Sequence, residues 1–179
     1  MLDQAGLAHE VVAAGIDEAA IKSRHDGPSQ AAIELAGAKA AAVSAARPGE
    51  WVIGGDSMVS VGDRSFDKPA SRDEAAAHLR FFSAKTLVLT SAAALARDGR
   101  VEWAEADQAF LSVRSLSDEF IEQYLDSEWP EIGYCVGVFR LEGLGVHLFD
   151  SIDGNYFTVL GLPLLQLLAA LRERGLAPA

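Results

Sequence analysis

The chain has 179 residues, half of them hydrophobic, and a formal net charge of -11. That length suits one domain with a substantial core, and the acidic balance argues against DNA, RNA or an anionic membrane as partner, since each needs a basic footprint. Cys135 is the only cysteine, so an intrachain disulfide is excluded, a thiolate zinc site is disfavoured and a cytosolic home is the default.

In chain order, Met1-Leu2-Asp3-Gln4 carries neither a basic leader nor an apolar signal region, so no secretion signal is expected. No apolar stretch approaches the length needed to span a bilayer. Residues 9–16 contain a short apolar run compatible with a strand, and Asp17-Glu18 follows at once. Gly27-Pro28 punctuates a polar loop. Ser29 is expected to cap a helix reaching about Ala46, with an apolar stripe through Ile33, Ala36, Ala40 and Val43. Residues 51–54 read as a short buried strand. Gly54 and Gly55 then read as a tight turn or a close approach to a ligand, placing Asp56 at the open end of the strand.

Met58 to Phe66 reads as a hairpin around Gly62-Asp63. Ser71 with Glu74 makes a capping box for a helix through about Phe82. Residues 86–96 and 101–113 are β-rich and separated by the turn Arg97-Asp98-Gly99-Arg100. Ser117 caps a helix from Asp118 to about Ser127, with two acids in its first turn. Residues 133–145 are glycine-rich. An apolar run over 146–152 meets a second hairpin signal at Asp153-Gly154-Asn155, so 156–160 is expected to continue as strand. Pro163 opens the last helix, with a stripe of Leu164, Leu167, Leu168 and Leu171. Helices alternating with hairpins indicate an α/β or α+β domain around a mixed sheet.

Asp56 is the position with the most chemical content. A carboxylate can hold a divalent cation or accept a proton from water, and Lys68, just before Pro69, can neutralise phosphate oxygens. Each residue alone is more often a solvated surface group. The same holds for Asp17, Glu18 and Lys39. Their joint order is more informative than any one of them.

That order resembles the Maf family of nucleotide pyrophosphatases. The matching stretches are Ile16-Asp17-Glu18, Ala38-Lys39-Ala40, Val52-Ile53-Gly54-Gly55-Asp56-Ser57, Lys68-Pro69, Gly133-Tyr134-Cys135-Val136-Gly137 and Leu141-Glu142-Gly143-Leu144-Gly145. The most specific is the closing string from Ile152 to Pro163. The resemblance implies a single Maf-like domain over 1–179: an α/β fold with a curved mixed sheet, two lobes and a central cleft, as in inosine-triphosphate pyrophosphatases. It also implies hydrolysis of a nucleoside triphosphate to the monophosphate and pyrophosphate with Mg or Mn. By the same match Asp56 is the catalytic acid, Lys39 and Lys68 contact the phosphate chain, and Asp17 or Glu18 joins Asp56 at the metal. Homodimerisation is left open. A nucleotide-binding regulator of cell division, with little or no turnover, is the alternative.

Two further positions, Ser57 and Glu142, correspond to family sites that correlate with base choice. The pattern Cys135-Val136-Gly137-Val138-Phe139-Arg140-Leu141-Glu142 is similar to a subgroup that prefers 7-methyl-GTP, whereas Ser57 departs from both known patterns. A carboxylate can accept hydrogen bonds from the N1–H and 2-amino group of guanine, while uracil offers only N3–H. Family members open with a strand and a phosphate-binding Ser-x-x-Arg loop. The match here starts just after it, with Met1 inside the first helix, so that strand and arginine are expected to be missing.

Overall fold

Ser71 and Ser117 open their helices as their spacing predicts. In the computed structural model, which describes residues 1–178, the Ser71 hydroxyl accepts from Glu74 N at the start of α3 (Arg72–Phe82), and the Ser117 hydroxyl accepts from Phe120 N at the start of α4 (Asp118–Glu128). The other α-helices among the described residues are α1 (Glu18–Lys22), α2 (Pro28–Ala45), α5 (Tyr156–Val159) and α6 (Leu164–Glu173). The α2 start differs from expectation. Gly27 is the extended N-cap and Pro28 lies in the first turn, where its missing N–H costs nothing. Ser29 is therefore already inside the helix. Residues 9–16 form no strand, and Met1–Gly6 form turns rather than a helix, Ala5 N donating to Met1 O.

Among the described residues five strands make one sheet: β1 (Trp51–Val61), β2 (Arg64–Phe66), β3 (Thr86–Arg97), β4 (Arg100–Val113) and β5 (Phe149–Asp153), in the order β2-β1-β3-β4-β5. The sheet is antiparallel, a narrower pattern than the mixed one expected. Val59 stands opposite Phe66 in the β1–β2 pair, and Leu111 stands opposite Ile152 in the β4–β5 pair. Asp98 and Gly99 both have positive φ (51° and 77°), the geometry a two-residue hairpin needs to match strand twist. From Ser91 to Ala96 every residue of β3 is buried, as befits a strand covered on both faces.

The last hairpin signal was misleading. Residues 156–160 are not a strand, because the Asn155 side chain accepts from Phe157 N and caps α5 instead. The preceding apolar run divides into a 3-10 turn, Leu144–Leu148, and β5.

The chain forms two compact units. One comprises Met1–Ser57, Thr90–Asp107 and the chain from Gly161 on; the other comprises Met58–Leu89 and Gln108–Leu160. In the first, Ala32, Leu35, Ala36, Leu95 and Leu167 are fully buried. The core of the second gathers Val59, Phe66, Leu79, Phe82, Leu111, Ile121 and Leu125. Among the described residues no helix is long and apolar enough to cross a membrane.

Candidate active site

Asp56 lies inside a strand rather than at its end. β1 runs without interruption from Trp51 to Val61, so Gly54 and Gly55 make no turn. Gly54 instead permits a close approach of α2. A Cβ at Gly54 would lie 2.1 Å from Ala36 O and 2.9 Å from Ala40 N, distances no side chain can occupy. The α2 backbone therefore rests directly on β1 at this point. Lys39 belongs to the same helical turn, and its ammonium reaches Asp56 Oδ1 at 2.6 Å. It also reaches Glu18 Oε1, in the first turn of α1, at 2.8 Å.

This Glu18–Lys39–Asp56 relay is unevenly solvated. The Asp56 side chain is 9% exposed and that of Glu18 46%. Burial pushes the Asp56 carboxyl above its usual value and outweighs the hydrogen bond and charge of Lys39. Burial also works against the Lys39 ammonium, but the bonds and charges of Asp56 and Glu18 together hold it above its ordinary value. The asymmetry has a simple cause: the lysine has two close carboxylates, while the more buried aspartate has one close ammonium. Asp56 Oδ2 is buried without a hydrogen-bond donor from the protein. An unsatisfied buried carboxylate oxygen is costly unless something binds it. Asp17, the other acid of this stretch, accepts from Ala20 N as the N-cap of α1.

Ser57 has a different occupation. Its hydroxyl donates to Gly161 O at 3.1 Å and lies 2.9 Å from Ser91 Oγ. A hydroxyl has one proton, so with Gly161 receiving it, Ser91 donates to Ser57. The residue beside Asp56 thus ties β1 to β3 and to the segment ahead of α6. Ser91 is fully buried, and the sequence reading did not single it out.

The remaining candidates belong to the second unit. Lys68 is exposed in the loop after β2, and Glu142 is exposed in a turn ahead of the Leu144–Leu148 segment. Both bear on Cys135 through their charge. Burial raises the Cys135 thiol, Arg140 opposes that, Glu142 adds to it and Lys68 opposes it. Beside them, Glu128 is 7% exposed and holds Arg140 Nη2 at 2.9 Å. Sequence reasoning missed Glu128. Its signal was available, since an acid closing a helix opposes the helix dipole and so needs another reason to be there.

Residues 1–174 match the family model described as Maf-like protein. The chain belongs to the Maf-like family. Among its relatives is a nucleoside triphosphate pyrophosphatase of Paramagnetospirillum magneticum, 45% identical over 98% of this chain and 92% of that protein. Another of that name, from Nitrobacter winogradskyi, is 44% identical over 98% of this chain and 88% of its own length. A 7-methyl-GTP pyrophosphatase of Rhizobium etli is also 44% identical, over 98% of this chain and 90% of that protein. Overall identity therefore does not separate the two kinds of relative. In this Maf-like chain the residues quoted for the family fall into two groups: Asp17, Glu18, Lys39, Asp56 and Ser57 in one unit, and Lys68 with Glu142 in the other.

Proposed function

We propose that this Maf-like chain is a nucleoside triphosphate pyrophosphatase that cleaves between the α- and β-phosphates, with Asp56 as the catalytic acid. The supporting observation is the Lys39-clamped Asp56, one oxygen ion-paired and the other buried and unclaimed, in a chain whose relatives carry that activity in their names. A triphosphate repels an approaching water nucleophile until its charge is offset. Lys39 has three N–H donors and commits two, to Asp56 and Glu18; the third is the one a phosphate oxygen takes. For the second unit we propose Lys68 as a phosphate contact.

Asp56 accepts the proton of the attacking water. Its raised pKa makes it a better base than a fully solvated aspartate. The water oxygen bonds to the α-phosphorus, the bond from that phosphorus to the bridging oxygen breaks, and the electron pair leaves with pyrophosphate. Among the described residues no group of three or more His, Cys, Asp or Glu is placed to hold a metal alone. Two carboxylates sharing one lysine do fit a Mg²⁺ or Mn²⁺ that takes its other ligands from phosphate and water. Asp56 and Glu18 would hold it, and it would supply Lewis-acid neutralisation of the phosphate oxygens. A cytosolic setting fits a chain with a single free cysteine.

The full chain given a nucleoside triphosphate and Mg²⁺ or Mn²⁺ should release pyrophosphate, followed by coupled pyrophosphate detection and phosphorus NMR. Orthophosphate as the first product would reject the cleavage position. Nucleotide binding without any turnover would favour the regulatory alternative.

For base choice we propose Glu142 as an acceptor for a guanine edge, with 7-methyl-GTP preferred over UTP. The subgroup pattern from Cys135 to Glu142 supports this reading, and so does the name of the Rhizobium relative. Glu142→Gln should narrow the preference for 7-methyl-GTP over UTP by roughly tenfold, the value of one charge-assisted hydrogen bond. Equal kcat/KM ratios in wild type and variant would remove Glu142 from base reading.

A further inference from the structure

Two residues on one face of α4 hold the stretch that carries Glu142. Tyr124 donates its hydroxyl to Val138 O at 3.1 Å. Four residues on, Glu128 takes Arg140 through Nη2 at 2.9 Å and Nε at 3.3 Å, both on Oε2. Its other oxygen, Oε1, accepts the backbone N–H of Leu144 at 3.2 Å. One nearly buried carboxylate thus grips the chain on both sides of Glu142, two residues before it and two after.

The glycines of Leu141-Glu142-Gly143-Leu144-Gly145 follow from this grip. A Cβ at Gly143 would lie 3.1 Å from both oxygens of Glu128, and one at Gly145 would lie 2.4 Å from Arg140 O. The loop closes so tightly on Glu128 and on its own start that a side chain at Gly145 has no room. Arg140 also offsets the charge that places Glu128 unfavourably at the end of α4.

We infer that Glu128 is a positioning residue for base selection: its bidentate hold on Arg140 and Leu144 N fixes the 140–144 loop and presents Glu142 to the base at one place. The inference rests on the reading of Glu142 given above, and it assigns Glu128 no contact with substrate. A specificity group that is exposed on a loop must be held by its neighbours to discriminate at all, because a loose acceptor serves either base edge.

The test compares Glu128→Gln, Glu142→Gln and the double variant in the full chain, with 7-methyl-GTP and UTP as substrates. Glu128→Gln should lower the ratio of kcat/KM values by roughly threefold to tenfold, within the range of coupled neighbouring residues. The change should sit in KM for 7-methyl-GTP, with kcat on UTP little altered. The double variant should lose no more selectivity than Glu142→Gln alone, because Glu128 acts through Glu142. Additive losses, or an equal fall in kcat on both substrates, would overturn the inference. Amide hydrogen exchange gives a readout independent of catalysis: residues 143–145 should exchange faster in Glu128→Gln than in wild type. If Glu142→Gln itself leaves selectivity unchanged, the base-reading role is what fails, and unchanged exchange at 143–145 then overturns the hold as well. Should Glu128→Gln not fold, Arg140→Gln, whose side chain is 42% exposed, is carried through the same measurements.

Discussion

Asp56→Asn should lower kcat for pyrophosphate release by roughly a hundredfold or more, the usual loss when a positioned general base is removed. The substitution keeps the shape of the side chain and an oxygen for Lys39. It removes the negative charge and the ability to take a proton from water. Folding should be little affected. Asp56 is a buried ion with one oxygen unclaimed, so neutralising it relieves a desolvation cost while it forfeits part of an ion pair. Lys39 retains Glu18 at 2.8 Å. The expected pattern is thus a melting temperature close to that of wild type with turnover nearly abolished. Near-normal turnover would remove Asp56 from the chemistry, and a collapse of the fold would show that its role is structural.

Several features that depended only on neighbours in sequence were legible before the structure. The Ser71 and Ser117 caps needed only a hydroxyl three residues ahead of a free N–H, and the Asp98-Gly99 hairpin only two residues tolerant of positive φ. Two of the failures share a physical origin. Asn155 carries the same local signal for a hairpin and for a helix cap, and the choice fell to burial of Thr158 and Val159 in α5. Gly54 carries the same signal for a turn, for a ligand and for a neighbouring backbone, and only the contact with α2 decides among them. Asp56 and Lys68 stood out by their own chemistry, while the roles of Asp17, Glu18 and Lys39 and the choice of Ser57 and Glu142 came through family resemblance. The Lys39–Asp56 pair spans 17 positions and the Ser57–Gly161 contact 104. Ser91 and Glu128 lay outside the quoted motifs and were missed, although both are buried polar residues with hydrogen-bond partners.

Gly54→Ala should be among the most destabilising single-methyl substitutions in this chain. The added Cβ would meet Ala36 O at 2.1 Å and the Ala40 backbone N and Cβ at 2.9 Å. Two of these three atoms are backbone, so no rotamer change relieves the contact. Either α2 lifts from β1 or the strand bends. Overpacking typically costs ~1–3 kcal/mol and more where backbone must move, so a loss of about 3 kcal/mol is expected. For a chain of this size that corresponds to a drop of roughly 6–12 °C in melting temperature. Turnover should fall as well, because the helical turn that lifts is the one that holds Lys39 over Asp56. The adjacent glycine provides the control. A Cβ at Gly55 would find only Leu162 Cδ1 at 3.6 Å and Ala92 O at 3.7 Å, ordinary contacts, so Gly55→Ala should melt close to wild type. Thermal unfolding of the two variants side by side separates the explanations. If both fall equally, the strand simply resists alanine at this point. If neither falls, the close approach of α2 to β1 is wrong, and with it the placement of Lys39 on Asp56.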